Sequence, residues 1–201
     1  MTHLRGFLAR PVLDVAPALL GWRLSHRTSQ GVVTVQLTEV EAYDGEADPA
    51  SHAARGRTPR NAVMYGPAGH LYVYFSYGMH WCANVVCGLE GRASAVLLRA
   101  GRVVDGHELA RFRRPPGTSD RSLARGPACL TQALGIGRDQ NEVDLLGSSH
   151  TWLTPAAGDA PPVASGPRVG VSVAADVPWR FWVDGDRTVS AYKRSPRAAT
   201  G

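Results

Sequence analysis

The chain has 201 residues, 44% of them hydrophobic, with 22 Gly, 14 Pro and a net charge of +5 from 22 Lys+Arg against 17 Asp+Glu, which describes one domain with one sizeable core. No stretch approaches the roughly 20 apolar residues of a membrane span, and the opening MTHLRGFLAR has no continuous apolar run behind its charges, so secretion and membrane insertion are not expected. Cys82, Cys87 and Cys129 make no disulfide framework and fit a reducing cytosol, while the basic excess suits a polyanionic partner but also serves solubility alone.

In chain order, apolar residues at helical spacing over 10–21, stopped by Gly21, predict a short helix. Runs rich in β-branched and aromatic residues predict strands at 31–43, 70–76, 81–87 and 93–99. A helix over 128–134, closed by Gly135, follows, and two further strands are expected at 168–173 and 180–183. The Pro, Gly and Ser content of 111–122 and 154–167 reads as loop. These elements compose a mixed α+β fold: a single domain over 1–195 built on a curved, mostly antiparallel sheet with flanking helices, then a flexible tail at 196–201. The absence of β-α-β alternation, of a G-x-G-x-x-G run and of a phosphate-binding loop argues against a nucleotide-cofactor fold, and no cofactor is expected.

Alternation along 31–43 places Val33, Val35, Leu37, Glu39, Glu41 and Tyr43 on one face, so two carboxylates continue an apolar row. Either the strand leaves the core after Leu37 and both acids meet water, or a buried carboxylate is paired or used as a general base or acid. Along 71–75, Tyr72 and Tyr74 share one face and Leu71, Val73 and Phe75 the other; the tyrosines form either packed core or an aromatic wall suited to flat ligands such as nucleobases. Tyr77 precedes Gly78 at a strand end, where a turn projects the ring as a wedge between base steps. His52, His70, His80, Cys82 and Cys87 lack the spacing of zinc signatures, and the two cysteines read as small buried hydrophobes. Lys193 is the only lysine, a skew that fits a GC-rich genome and restricts any amine nucleophile to Lys193 or the N-terminus.

EVEAY at 39–43, His52, TPRN at 58–61, LYVYFSYGMHWCAN at 71–84, AVLLRA at 95–100, ARGPACLTQALGI at 124–136 and RVGVSVAADVPWRFWV at 168–183 together resemble the alkyladenine (3-methyladenine) DNA glycosylase family of the eukaryotic type, over nearly the whole chain. The resemblance implies a monofunctional base-excision-repair glycosylase, monomeric and cytoplasmic at the nucleoid, that flips alkylated or deaminated purines out of duplex DNA and hydrolyses the N-glycosidic bond. It implies Glu41 as the base that activates water and Arg99 as a neighbour of that water and the adjacent phosphate. Tyr43 and His52 would lie on one side of the flipped base and Tyr74 on the other, with Tyr77 filling the gap in the duplex and Asn84 disfavouring the 2-amino group of guanine. No strand cleavage through a Schiff base is expected, since the lone lysine lies outside every matched motif.

Two departures stand out. The basic residue that the family carries after its Gly-Pro pair is replaced within Gly126-Pro127-Ala128-Cys129-Leu130, removing an expected backbone contact that Arg125 or the arginines of 111–121 would have to replace. Extra residues in CGLEGRAS, at 87–94, are expected in a hairpin turn distant from the pocket. Two other readings compete: a DNA- or RNA-binding module that keeps the pocket without cleaving, and a nucleoside hydrolase acting on free small molecules.

Overall fold

A computed structural model describes residues 2–76, 78–156 and 158–198, so Tyr77 and the last three residues of the expected tail lie outside the described residues. Helices α1 (Thr2–Leu8) and α2 (Val12–Ala18) precede strands β1 (Arg23–Thr28), β2 (Gly31–Tyr43), β3 (Leu71–Ser76), β4 (His80–Val86) and β5 (Ala95–Asp105). Then come α3 (His107–Phe112), β6 (Ala124–Arg125), α4 (Pro127–Leu134), β7 (Thr151–Thr154), β8 (Val163–Gly166) and β9 (Arg180–Val183).

The nine strands form one open sheet in the order β3-β4-β5-β2-β1-β7, with β6 on β5 and β8 reaching β2 through β9; every named pairing is antiparallel. The α+β expectation therefore holds, as do the strands at 31–43 and 180–183 and the helix at 128–134, which Gly135 closes in the left-handed conformation at φ 74°. The 10–21 helix is shorter, ending at Ala18. Residues 168–173 form no strand: the segment leaves the sheet and lines a cavity. Both loops read from composition hide structure, since 111–122 begins inside α3 and 154–167 contains β8.

The main apolar core lies on one face of the sheet, where Val12, Val15, Leu19, Leu130 and Leu134 meet Leu71, Val73, Ala83, Val85, Val96 and Leu98. A smaller cluster of Ala53, Val63, Met64, Tyr65, Tyr72, Val86 and Ala95 occupies the other. Leu71 and Val73 belong to the main core as expected, but Phe75, near the end of β3, is 45% exposed, with its ring against Trp81.

The alternation read along β2 breaks at a bulge. Leu37 pairs with Gly101 and Glu39 with Ala100, leaving Thr38 as an extra residue, so the core row runs Val33, Val35, Leu37 and then Val40, Ala42. Glu39, Glu41 and Tyr43 thus face away from that row, yet both carboxylates are fully buried, so neither the continuous apolar face nor the solvent exit describes them. On the opposite strand Val40 pairs with Leu98, which makes Arg99 the extra residue of a second slip and sets it beside both acids. At the same place β2 exchanges its neighbour, β1 along 31–36, for β9 along 39–41.

Candidate active site

The cavity behind this double bulge has a volume of about 510 Å³, within the range of small-molecule sites. β2 supplies Glu41 and Tyr43, β3 supplies Tyr72, Tyr74 and Ser76, and β4 supplies Cys82 and Asn84. Ala95, Leu97 and Arg99 of β5 form its back, Pro127 opens α4 at one edge, and the rims are the 49–52 loop with Arg60 and the 169–173 segment. Six of the seven residues singled out from the sequence, Glu41, Arg99, Tyr43, His52, Tyr74 and Asn84, therefore meet in one cavity; the seventh, Tyr77, lies outside the described residues.

Glu41 is held by three donors. Its Oε1 accepts the Val169 backbone N–H at 2.7 Å and lies 3.3 Å from an Arg99 terminal nitrogen, while Oε2 accepts the Tyr43 hydroxyl at 2.8 Å. An ionised carboxylate offers about four lone-pair sites, so these three donors leave one of them, on Oε2, unused. Burial, with Glu41 alongside, raises the Tyr43 hydroxyl well above its usual range and keeps it a donor.

Arg99 is fixed from behind by Glu39, whose Oε1 accepts from Arg99 Nε at 2.7 Å, Arg180 Nε at 2.8 Å and the Ser190 hydroxyl at 2.8 Å; its Oε2 accepts the Ser190 N–H at 2.6 Å. Burial alone would raise the Glu39 carboxyl, but the two guanidiniums and the Ser190 amide outweigh it and hold it below the usual carboxylate range. The desolvation cost of a buried acid is thereby compensated with every oxygen satisfied.

A second buried ion pair joins the two rims. Arg168, 1% exposed, donates to Asp48 Oδ2 at 2.5 Å and Oδ1 at 2.9 Å and to the Ala42 carbonyl at 3.0 Å. Its guanidinium lies between the rings of Tyr43, 4.8 Å away, and Trp179, 5.2 Å away. Asp48 also receives the Ala50 N–H at 3.0 Å, so one pair organises the loop leading to His52, the ring of Tyr43 and the neighbour of the amide that holds Glu41.

His52 and Tyr74, expected on opposite sides of a bound base, are in edge contact in the free protein, with ring centroids 4.5 Å apart and planes at 75°. His52 Nδ1 sits 3.1 Å from the Tyr72 hydroxyl; burial first and Arg60 next lower its imidazole from the ordinary 6.5. Asn84 Nδ2 donates to the Tyr72 carbonyl at 3.0 Å, which fixes the amide at the cavity wall. Cys87 is buried in the main core, whereas Cys82, equally a small buried residue, lines the cavity, and burial raises its thiol. Among the described residues no three His, Cys, Asp or Glu side chains are placed to share a metal ion.

Sequence reasoning missed Glu39's partners Arg180 and Ser190, and the pair Arg168 and Asp48. Two signals were present: Arg168 and Arg180 each open an apolar run that otherwise reads as strand. The 87–94 connection is a hairpin, but its Ala93 packs so closely on Gly45 that a side chain at 45, where φ is +58°, would strike the Ala93 carbonyl. It therefore braces the loop that carries His52 rather than lying apart from it. Of the arginines of 111–121, Arg113 donates to the Ala133 and Leu134 carbonyls at 3.2 and 2.7 Å, and Arg111 pairs with Asp120 and Glu108. Arg114 stands beside Cys129, with Nη2 3.0 Å from Sγ.

Residues 6–187 match the methylpurine-DNA glycosylase (MPG) family. A Streptomyces avermitilis protein named 3-methyladenine DNA glycosylase is 55% identical over 198 residues, covering 96% of this chain and 93% of its own length. Proteins of the same name from Nocardia farcinica and Burkholderia lata are 55% and 52% identical, each covering 92% of this chain and, respectively, 92% and 89% of their own lengths.

Proposed function

The chain belongs to the methylpurine-DNA glycosylase family, DNA-repair enzymes acting on alkylation damage by hydrolysis of N-glycosyl bonds, and from that premise we propose that Glu41 activates the water that releases an alkylated purine flipped into the 510 Å³ cavity. The observation that carries this reading is the coordination of Glu41: a buried carboxylate at the cavity wall, gripped by Val169, Arg99 and Tyr43, with one lone pair left on Oε2. Water held there gives its proton to Glu41 as its oxygen bonds to C1′ and the C1′–N bond breaks, the electron pair leaving with the purine. A purine made cationic by alkylation departs as a neutral base without being protonated, so its bond is the easier to break.

Arg99 keeps its charge beside Glu41 and the sugar, positioned by Glu39 rather than free to swing. Asn84 sets the cavity wall against a 2-amino group, and Tyr43 and Tyr74 contact the purine rings, which extends the substrate range to deaminated purines such as hypoxanthine. Tyr77, which precedes Gly78 in the sequence, enters the gap in the duplex. The enzyme acts on duplex DNA as a cytoplasmic monomer, and Lys193 takes no part in the chemistry.

Purified protein incubated with duplexes carrying 3-methyladenine, 7-methylguanine, hypoxanthine or ethenoadenine tests the reading. Release of the free base with an intact abasic strand, and no borohydride-trapped complex, is expected. Lesion binding without base release would leave a binding module, and cleavage of free nucleosides alone would leave a nucleoside hydrolase.

A further inference from the structure

A cation already stands in the aromatic pocket. The Arg60 guanidinium lies 5.6 Å from the centroid of the Tyr74 ring, lines the cavity and donates from Nη2 to the Phe75 carbonyl at 3.3 Å. Among the described residues no carboxylate lies within ion-pair distance of it, so its charge is balanced by the tyrosine face, one carbonyl and solvent. Arg168 occupies the Tyr43 ring in a similar way but is locked to Asp48, whereas Arg60 sits at an exposed loop position without a carboxylate partner among the described residues.

A purine that stacks on Tyr74 meets this guanidinium, and the meeting depends on the purine's charge. A neutral base shares the cavity with Arg60 or displaces it at little electrostatic cost. A cationic base competes for the Tyr74 ring and is repelled by the arginine at short range, a repulsion that the solvent around exposed Arg60 weakens without abolishing. We propose that Arg60 is a specificity-determining residue, a resident cation on Tyr74 that biases the pocket against cationic purines and towards neutral ones. The inference rests on the reading of the cavity as a purine site. It runs against the simple expectation that tyrosine faces reward cationic lesions.

The test compares wild type with Arg60→Gln and Arg60→Lys on otherwise identical duplexes containing 7-methylguanine, a cation, or hypoxanthine, which is neutral, under single-turnover conditions. Removing the charge is expected to raise the ratio of 7-methylguanine to hypoxanthine excision about two- to thirty-fold, while Arg60→Lys leaves it near wild type. Loss of any phosphate contact made by Arg60 weakens both substrates alike and cancels in the ratio. An unchanged ratio, or one that moves the other way, overturns the proposal. Calorimetric binding of 7-methylguanosine, at mildly acidic pH where it is a cation, and of inosine gives a readout without turnover. If wild type excises neither lesion yet Arg60→Gln selectively tightens 7-methylguanosine, the glycosylase reading fails and the resident cation stands; if glycosylase activity is present but neither ratio moves, the reverse holds.

Discussion

Replacing Arg168 by Met should destabilise the protein by about 3–5 kcal/mol, the range for stripping one partner from a buried ion pair. The parts explain the size. Two charge-assisted bonds to Asp48 at 2.5 and 2.9 Å and one to the Ala42 carbonyl at 3.0 Å are lost, at about 1.5–3 kcal/mol each. The contacts with Tyr43 and Trp179 add about 0.5–2 kcal/mol apiece, and the gross sum is reduced by the guanidinium desolvation that no longer has to be met. What remains is Asp48, 1% exposed, with its charge unpaired. The double change Arg168→Met with Asp48→Asn should therefore recover part of the loss, a coupling read directly by a mutant cycle. Urea unfolding followed by tryptophan fluorescence measures it. Arg168→Lys keeps the charge but loses the fork and the planar stack, and should lower single-turnover excision about tenfold in protein that is still folded, by loosening Val169 on Glu41. A loss within about 0.5 kcal/mol for Arg168→Met, typical of a surface site, or additive single changes, would refute the assignment of this pair as the link between the rims.

Glu39 gives a pH signature. Its carboxyl lies below the ordinary 4.5 when folded, so its contribution is fully present above that value and is lost as pH falls through the folded value. Glu39→Gln should thus cost stability at neutral pH and converge on wild type in acid, as seen in urea midpoints across pH; parallel curves would contradict this. Tyr43→Phe removes the 2.8 Å bond to Glu41 but keeps the ring under Arg168. Excision should slow about 10- to 100-fold with lesion binding little altered, and a variant that binds weakly but turns over normally would assign Tyr43 to stacking alone.

How much of this was legible in the chain follows from local physics. Strand periodicity gave β2, β3 and β4 because their alternate residues meet two different environments, the main core and the cavity. It failed at Thr38, since a bulge is one residue that nothing in β-propensity marks, and the failure fell where Glu41 turns into the cavity and Glu39 backs Arg99. Segment 168–173 reads as strand from its valines, yet Arg168 is drawn into Asp48, more than a hundred residues away, and the valines become a rim. Such pairings are set by tertiary contact, invisible to spacing. The aromatic wall was legible, but the arginine lying on it was not, because a cation over a ring leaves no period in the sequence.

The most direct measurement is single-turnover excision by Glu41→Gln on a duplex containing a substrate lesion, alongside its binding constant for that duplex. The isosteric amide can still occupy the Val169 and Tyr43 positions but cannot take a proton from water. Base release should fall at least about a hundredfold, the lower bound of general-base effects, with binding kept within a few-fold of wild type. Excision at the wild-type rate by Glu41→Gln would contradict the assignment of this carboxylate as the base.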